Sequence, residues 1–385
     1  ILHGLGVPVF RFPFLDTHAI VAAIQCHSAG IDVYATNPCD VLGRPHVYSP
    51  LWLRADVLPV TARWTPYVGL GFVGLFLTAL TLLPQACGRT GAVVMILASV
   101  SPSILFAMER GNNDLLVFAM AAATASFCLR GVWGRNAAYA LATLAAALKF
   151  YPVLLLILVL RERTVRCVIA LAACGGLLAA ALLLDLHEVL RALQLTPHRG
   201  PFDIAFGAGN LPLGAAAMFG WSSSAGGVLE AALVGTVMAL AFAGAKMVGP
   251  AVAQLDARET AFLMAGAVLL VGCFFLAQNV DYRAIYLVLV LPALIRLSGP
   301  RSRSGKLAAC TCAVAVLLLW DDAARMSAGP YAGALLWLLK ELGWWWITAF
   351  LLALLITMAA RSPALEGMKS LWLRPLTATA TRPGG

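Results

Sequence analysis

Two apolar tracts are interrupted by residues suited to holding an anion. In NAAYALATLAAALKFYPVLLLILVL (136–160), Lys149 and Pro152 break the run beside Phe150 and Tyr151. A lysine at such a break is a good point-charge ligand for phosphate. Snorkelling of a long side chain to a membrane interface explains it equally well. In QNVDYR (278–283), Arg283 is a second phosphate candidate, and a salt bridge to Asp281 is its structural alternative. A third seam, Glu109-Arg110-Gly111-Asn112-Asn113-Asp114, places two carboxylates, a guanidinium and two amides between GAVVMILASVSPSILFAM and LLVFAMAAATASFCL. An interfacial Glu109–Arg110 pair and a helix cap at Asn112 or Asn113 would account for part of it. They leave the full set unexplained, and Asp114 sits just inside an apolar run, where a carboxylate is costly unless paired or facing a cavity. The functional reading is favoured here.

The segment FPFLDTHAIVAAIQCHSAGIDVYATNPCDVLGRPHVYSPLWL (12–53) adds a further carboxylate, Asp16. Ile20, Val21 and Ile24 form an apolar stripe at helical spacing behind it, which predicts a short helix lying in a membrane interface. On local pattern alone Asp16 reads first as an N-cap. Cys26 and Cys39 share this polar segment, and a disulfide between them is compatible with an oxidising compartment. The glycine- and proline-rich loop 196–214 carries His198, Arg199, Asp203 and Asn210, with Phe202 and Phe206 arguing against free solvation. Asp321-Asp322 reads as a solvated helix end, and ALLWLLKELGWWW (334–346) as an interfacial belt of Trp337, Trp344, Trp345 and Trp346. No Walker, GxSxG, HExxH or Rossmann motif stands in usable context. No DxD accompanies Asp16, so nothing in the sequence asks for a metal ion.

The elements that carry these residues are membrane helices. The chain is 61% hydrophobic and 12% charged, where soluble domains carry about 25% charged residues. Spans are expected at 64–84, 91–108, 114–130, 167–184, 226–246, 260–277, 283–297, 306–320 and 343–360, with no β-barrel alternation. The pieces on either side of Lys149 and Pro152 are too short to cross a hydrocarbon core about 30 Å thick. Either 136–160 is one kinked crossing or it is a hairpin that enters and returns. With a hairpin, one side of the membrane collects sixteen of the 27 basic residues but only four of the 18 acidic ones. Basic loops stay inside, so the hairpin is favoured. The charge of +9 then reports topology and not nucleic-acid binding. The long loops 1–63, 185–225, 278–283 and 321–341, the ERGNND seam and all six histidines fall outside. The expected organisation is one integral membrane domain: an outer loop (1–63), a bundle (64–360) and a cytoplasmic tail (361–385), with a first helix expected ahead of Ile1 to deliver the loop outside.

Asp16 through NPCDVLGRPHVYSPLWL, then ERGNNDLLVF, AAALKFYPVLLLILVLRER and NVDYRAIYLVLVLPAL, together resemble bacterial glycosyltransferase family 87 over roughly residues 12–300. That family includes polyprenol-phosphate-mannose-dependent mannosyltransferases. The resemblance implies an all-α polytopic GT-C fold in the bacterial inner membrane, with the active site facing the periplasm. It implies metal-independent, inverting transfer of one sugar, by family mannose, from a polyprenyl-phosphate donor to a glycolipid or polysaccharide acceptor. The family's general base is an aspartate in the first outer loop, and Asp16 matches it. Lys149 and Arg283, with Arg199 or Arg110 in support, would meet the donor phosphate. Glu109, Asn112, Asn113 and Asp114 would orient sugar or acceptor, because amides suit hydroxyls that both donate and accept. His46, Tyr48 and His198 are further candidates there. A transporter or lipid flippase is the alternative, because broken helices such as that at Lys149 often line transport sites.

Overall fold

The computed structural model describes residues 12–86, 88–196 and 200–372. The helices are α1 (Leu15–Ser28), α2 (Thr65–Leu80), α3 (Gly88–Ser99), α4 (Pro102–Arg110), α5 (Asp114–Phe127), α6 (Val132–Lys149), α7 (Thr164–Leu184) and α8 (Leu186–Gln194). They continue with α9 (Asn210–Phe219), α10 (Ser223–Val252), α11 (Ala257–Leu276), α12 (Leu287–Leu297), α13 (Arg303–Ser327), α14 (Pro330–Ala360) and α15 (Pro363–Trp372). Among the described residues four short 3-10 helices join them, the longest being Tyr151–Arg161. Two-residue strands β1 (Ala205–Phe206) and β2 (Asn279–Val280) pair antiparallel, Ala205 opposite Val280.

Among the described residues, α7, α10, α11, α13 and α14 are each long and apolar enough to cross a membrane. The pair α3 and α4, bent by 41° at its break, makes a sixth if it counts as one span. The chain therefore reads as a multi-pass membrane protein. Burial sorts the spans. In the most apolar window of α7 and of α10 only 11% is covered by protein, against 78% for α11. Apolar side chains left uncovered at such length suit lipid, whereas a helix apolar all round and covered is the core of a bundle. Helix α12 is the extreme case: Leu287–Leu294 is buried throughout.

The expected spans 64–84, 114–130 and 283–297 are shorter as α-helix, at 16, 14 and 11 residues. At about 1.5 Å per residue, α12 advances only about 17 Å. It continues from the 3-10 helix Asp281–Tyr286 and is roofed by neighbouring helices, so protein and not lipid surrounds it.

The chain turns back at Lys149. Phe150 takes φ 61°, ψ −67°, and the 3-10 helix Tyr151–Arg161 then packs beside α6. The two legs meet again at the far end, where Glu162 accepts a hydrogen bond from Tyr139 (2.9 Å) and pairs with Arg135 (2.7 Å).

Three local expectations are corrected. Helix α1 is not half-exposed on an interface; it is buried along most of its length, because the 29–64 segment folds over it. It begins after Phe14, and Asp16 makes no capping bond. The tryptophan run is a surface belt at Trp346 only: it lies within the single helix α14, where Trp346 is exposed but Trp337, Trp344 and Trp345 are buried and Trp344 stacks on Phe206. Nor is Asp321-Asp322 a solvated end, since both carboxylates are largely buried beside Arg325.

Candidate active site

Two helix starts meet to form the site. Helix α4 ends at Gly111, which takes φ +54° as its C-cap. That glycine is required. A Cβ there would lie 2.5 Å from the Thr17 hydroxyl and 2.9 Å from the Phe14 ring. The close approach lets Thr17 donate to the Gly111 carbonyl (2.5 Å) and Phe14 N–H to the Glu109 carbonyl (2.9 Å). The first turn of α1 is thus clamped onto the ERGNND seam.

Asp16 consequently faces that seam. One oxygen is bonded by the Arg110 guanidinium, and the other accepts from Asn112 Nδ2 at 2.7 Å. Arg44 stands 3.8 Å from the first oxygen. Arg44 is held in turn by Asp40 (2.9 Å) and by the Leu15 carbonyl (2.8 Å). Burial pushes the Asp40 carboxyl up, but the Arg44 bonds outweigh it and hold the group below its ordinary value. Arg110 thus reaches across to α1 and pairs with Asp16.

Asn112 also connects this carboxylate to the second half of the site. Its Oδ1 accepts from the Asp114 backbone N–H (2.8 Å) and from Lys149 Nζ (3.2 Å). Lys149 further bonds Asn113 and lies 2.8 Å from Asp114. Those three contacts use all three ammonium donors. Asp114 is fully buried and also holds Arg283 (3.2 Å), the Tyr286 hydroxyl (3.1 Å) and the Tyr151 hydroxyl. Arg283 bonds Asn279 and lies over the Tyr151 ring. The salt bridge to Asp281, the structural alternative for Arg283, is absent among the described residues: Asp281 pairs with Lys340 at 2.5 Å.

The site is therefore a chain of charges running from Arg44 through Asp16, Arg110 and Lys149 to Asp114 and Arg283. Four cations meet three carboxylates, Asp40 included. The guanidinium groups at its edges keep the accessible surface. Arg44, Arg283 and Arg110 retain 30%, 22% and 14% side-chain exposure, against 7% for Lys149 and none for Asp114. An anion arriving at this cluster would meet guanidinium edges first, with the lysine behind them.

Tyr48 lies beside Asp16. Burial first, and then the Asp16 charge, pushes its hydroxyl well above the ordinary tyrosine range, so it remains a donor. His46 is buried behind Tyr48, with the rings 5.8 Å apart, and Tyr34 packs on its other side. Burial pushes the imidazole down to about 4, so it is neutral near pH 7. The Cys26–Cys39 disulfide is formed, with Cα atoms 5.9 Å apart, five residues before Arg44. His198 and Arg199 lie outside the described residues.

Sequence reasoning did not single out Arg44, Tyr151, Tyr286 or Asn279. Arg44 carried a signal in its spacing from Asp40, and Tyr151 in its place next to Lys149. Nothing in the sequence marked Lys340 as the partner of Asp281. Among the described residues no group of three or more His, Cys, Asp and Glu side chains is placed to hold a metal ion. Comparison with known protein families, curated proteins and solved structures returns no match to this chain.

Proposed function

We propose that this protein is a membrane glycosyltransferase of the GT-C kind, moving one sugar from a polyprenyl-phosphate donor to a glycolipid or polysaccharide acceptor at the outer face of a bacterial inner membrane. Mannose is the sugar that the resemblance to family 87 suggests. The observation that carries the reading is the Asn112 side chain, which bonds Asp16 through its nitrogen and Lys149 through its oxygen. A carboxylate and an anion-attracting cation cluster are thereby fixed one amide apart, inside an apolar multi-pass body that a lipid-borne donor could reach.

In this reading Asp16 is the general base. A carboxylate has about four lone-pair positions, and the bonds from Arg110 and Asn112 leave room for an acceptor hydroxyl. As that oxygen attacks the anomeric carbon, its proton passes to Asp16. The bond from the anomeric carbon to the phosphate oxygen breaks on the opposite side, and its electron pair stays on the lipid phosphate. Attack opposite the leaving group gives inversion. The guanidinium edges of Arg283 and Arg110 receive the developing charge, with Lys149 adding positive potential from behind. Because the Asp114 side chain is occupied by two cations and two tyrosine hydroxyls, its part is to fix the cations and not to touch sugar. Asn113, Glu109 and Tyr48 remain candidates for hydroxyl contacts, and the reading needs no metal.

The transporter reading keeps one observation in its favour, the helix break at Lys149–Phe150. One assay separates the two. Purified protein is given radiolabelled polyprenol-phosphate mannose and a lipid extract, and the assay is repeated with Asp16→Asn. Transfer by the wild type and its loss by about a hundredfold or more in the variant is the expected result. Unchanged transfer in Asp16→Asn removes the base assignment. No transfer from any polyprenol donor, together with uptake into proteoliposomes, favours the transporter.

A further inference from the structure

The end of the bundle opposite Lys149 carries a second concentration of cations that the proposed reaction does not use. A cavity of about 690 Å³ lies between the end of α5, the start of α6, the end of the 3-10 helix Tyr151–Arg161 and the start of α11. Arg135, Arg161, Arg163 and Arg258 line it, together with Glu162 and Asp256. Fourteen residues of α6 separate Arg135 from Lys149, so the cavity lies about 21 Å from the first site.

Both carboxylates in its wall are already engaged. Glu162 is taken by Arg135, Arg166 and Tyr139. Asp256 caps α11 by accepting from the Arg258 and Glu259 N–H groups, both at 2.7 Å. Arg161 and Arg258 instead donate to backbone carbonyls, those of Ala257 (3.3 Å) and Leu82 (2.7 Å). Among the described residues no carboxylate lies within ion-pairing distance of Arg161, Arg163 or Arg258. The wall therefore has cationic capacity to spare.

A second cavity of about 320 Å³ adjoins the first and shares Arg161, Ala257 and Pro363 with it. Its remaining wall is largely apolar, with Val252, Leu255, Met264 and Met358, and Arg361 also lines it. A cationic chamber opening beside an apolar one, at the ends of membrane helices, matches a molecule with an anionic head and a hydrocarbon tail. A soluble anion would have no use for the second chamber.

We propose that these paired cavities bind an anionic phospholipid, with its phosphate among Arg161, Arg163 and Arg258 and an acyl chain along Met264 and Met358. Basic pockets between transmembrane helices hold such head groups by charge, and the flexible methionines adapt to the chain. The bound lipid would tie together α5, the α6 hairpin, α11 and α15, which converge there.

Native mass spectrometry and melting of the delipidated full chain in detergent test this, with phosphatidylglycerol, phosphatidylcholine and inorganic phosphate as probes. The expected result is a retained phosphatidylglycerol adduct and a raised melting temperature, with neither from phosphatidylcholine or phosphate. The Arg161→Gln, Arg163→Gln, Arg258→Gln triple variant should bind phosphatidylglycerol about a hundredfold more weakly. A control triple in the other basic loop, Arg301→Gln, Arg303→Gln, Lys306→Gln, should bind it as the wild type does. Equal adducts with phosphatidylcholine, an equal shift with inorganic phosphate, or equal loss in both triple variants would each overturn the proposal. Should the first triple variant fail to fold, photoactivatable phosphatidylglycerol on the wild type decides. Labelling within 161–163 and 257–264 supports the site, and labelling confined elsewhere removes it.

Discussion

Asp114 and Lys149 form an ion pair of 2.8 Å in which neither side chain keeps more than 7% of its surface exposed. The pair closes the turn between α4 and α5 against the tip of the α6 hairpin, joining positions 35 residues apart in sequence. Asp114 also binds Arg283, so one carboxylate holds two cations from two different parts of the chain.

Removing that carboxylate should be expensive. Asp114→Asn leaves Lys149 and Arg283 facing each other without a counter-charge, and breaking a buried pair in this way costs about 3–5 kcal/mol. The expected outcome is a strongly lowered melting temperature in detergent. Lys149→Met combined with Asp114→Asn should recover a measurable part of the loss, because the two effects are coupled. Simple additivity in the cycle would contradict the pairing.

The edges of the cluster and its interior should separate kinetically. Arg283→Gln removes a guanidinium that keeps accessible surface, and donor KM should rise roughly tenfold if it meets the lipid phosphate, each charge-assisted bond contributing about 1.5–3 kcal/mol. Lys149 is buried with its donors occupied, so Lys149→Met should lower kcat and stability together. Steady-state kinetics with polyprenol-phosphate mannose, alongside melting curves, distinguish these patterns. A donor KM unmoved in Arg283→Gln would exclude it from the phosphate.

His46 makes stability depend on pH. Its folded pKa of about 4 lies below the ordinary histidine value of 6.5, so between those values the unfolded chain binds the proton and the folded chain does not. Stability must therefore fall as pH drops from about 6.5 toward 4, by an amount on the order of 3 kcal/mol at the bottom of the window. Burial lowers His18 as well, which adds in the same direction. Melting curves from pH 7 to pH 4 should show the slope, and His46→Gln should flatten it. An identical slope in that variant would assign it to other groups.

Reducing the Cys26–Cys39 bridge should loosen the segment that delivers Arg44. For a loop of this size the bridge contributes about 3 kcal/mol by restricting the unfolded chain. Cys26→Ser with Cys39→Ser should melt lower, and should raise acceptor or donor KM through Arg44 more than it changes kcat. Faster amide exchange across 29–46 than in the wild type is the direct readout.

Much of this was legible in the residue order. Apolar runs around α7, α10, α11, α13 and α14 are long enough to identify membrane helices without any coordinates, because hydrocarbon thickness sets a length that sequence alone can meet. The polar seams ERGNND, Lys149 and Arg283 were equally plain, because ionised groups are costly in apolar surroundings, whereas Asp16 read locally as an N-cap and rose above that only through the family resemblance. Proximity was not legible. Nothing local says that Arg110 reaches Asp16, 94 residues away, or that Asp281 takes Lys340 from α14 and not its neighbour Arg283. Sequence neighbours suggest pairs at short spacing. In a crowded interior, however, an ion goes to whichever counter-ion the packed backbones bring within about 3 Å, since burial makes an unpaired charge prohibitive. Sequence determined which groups had to find partners, and only the tertiary packing of α1, α4, α6 and α14 decided which partners those were.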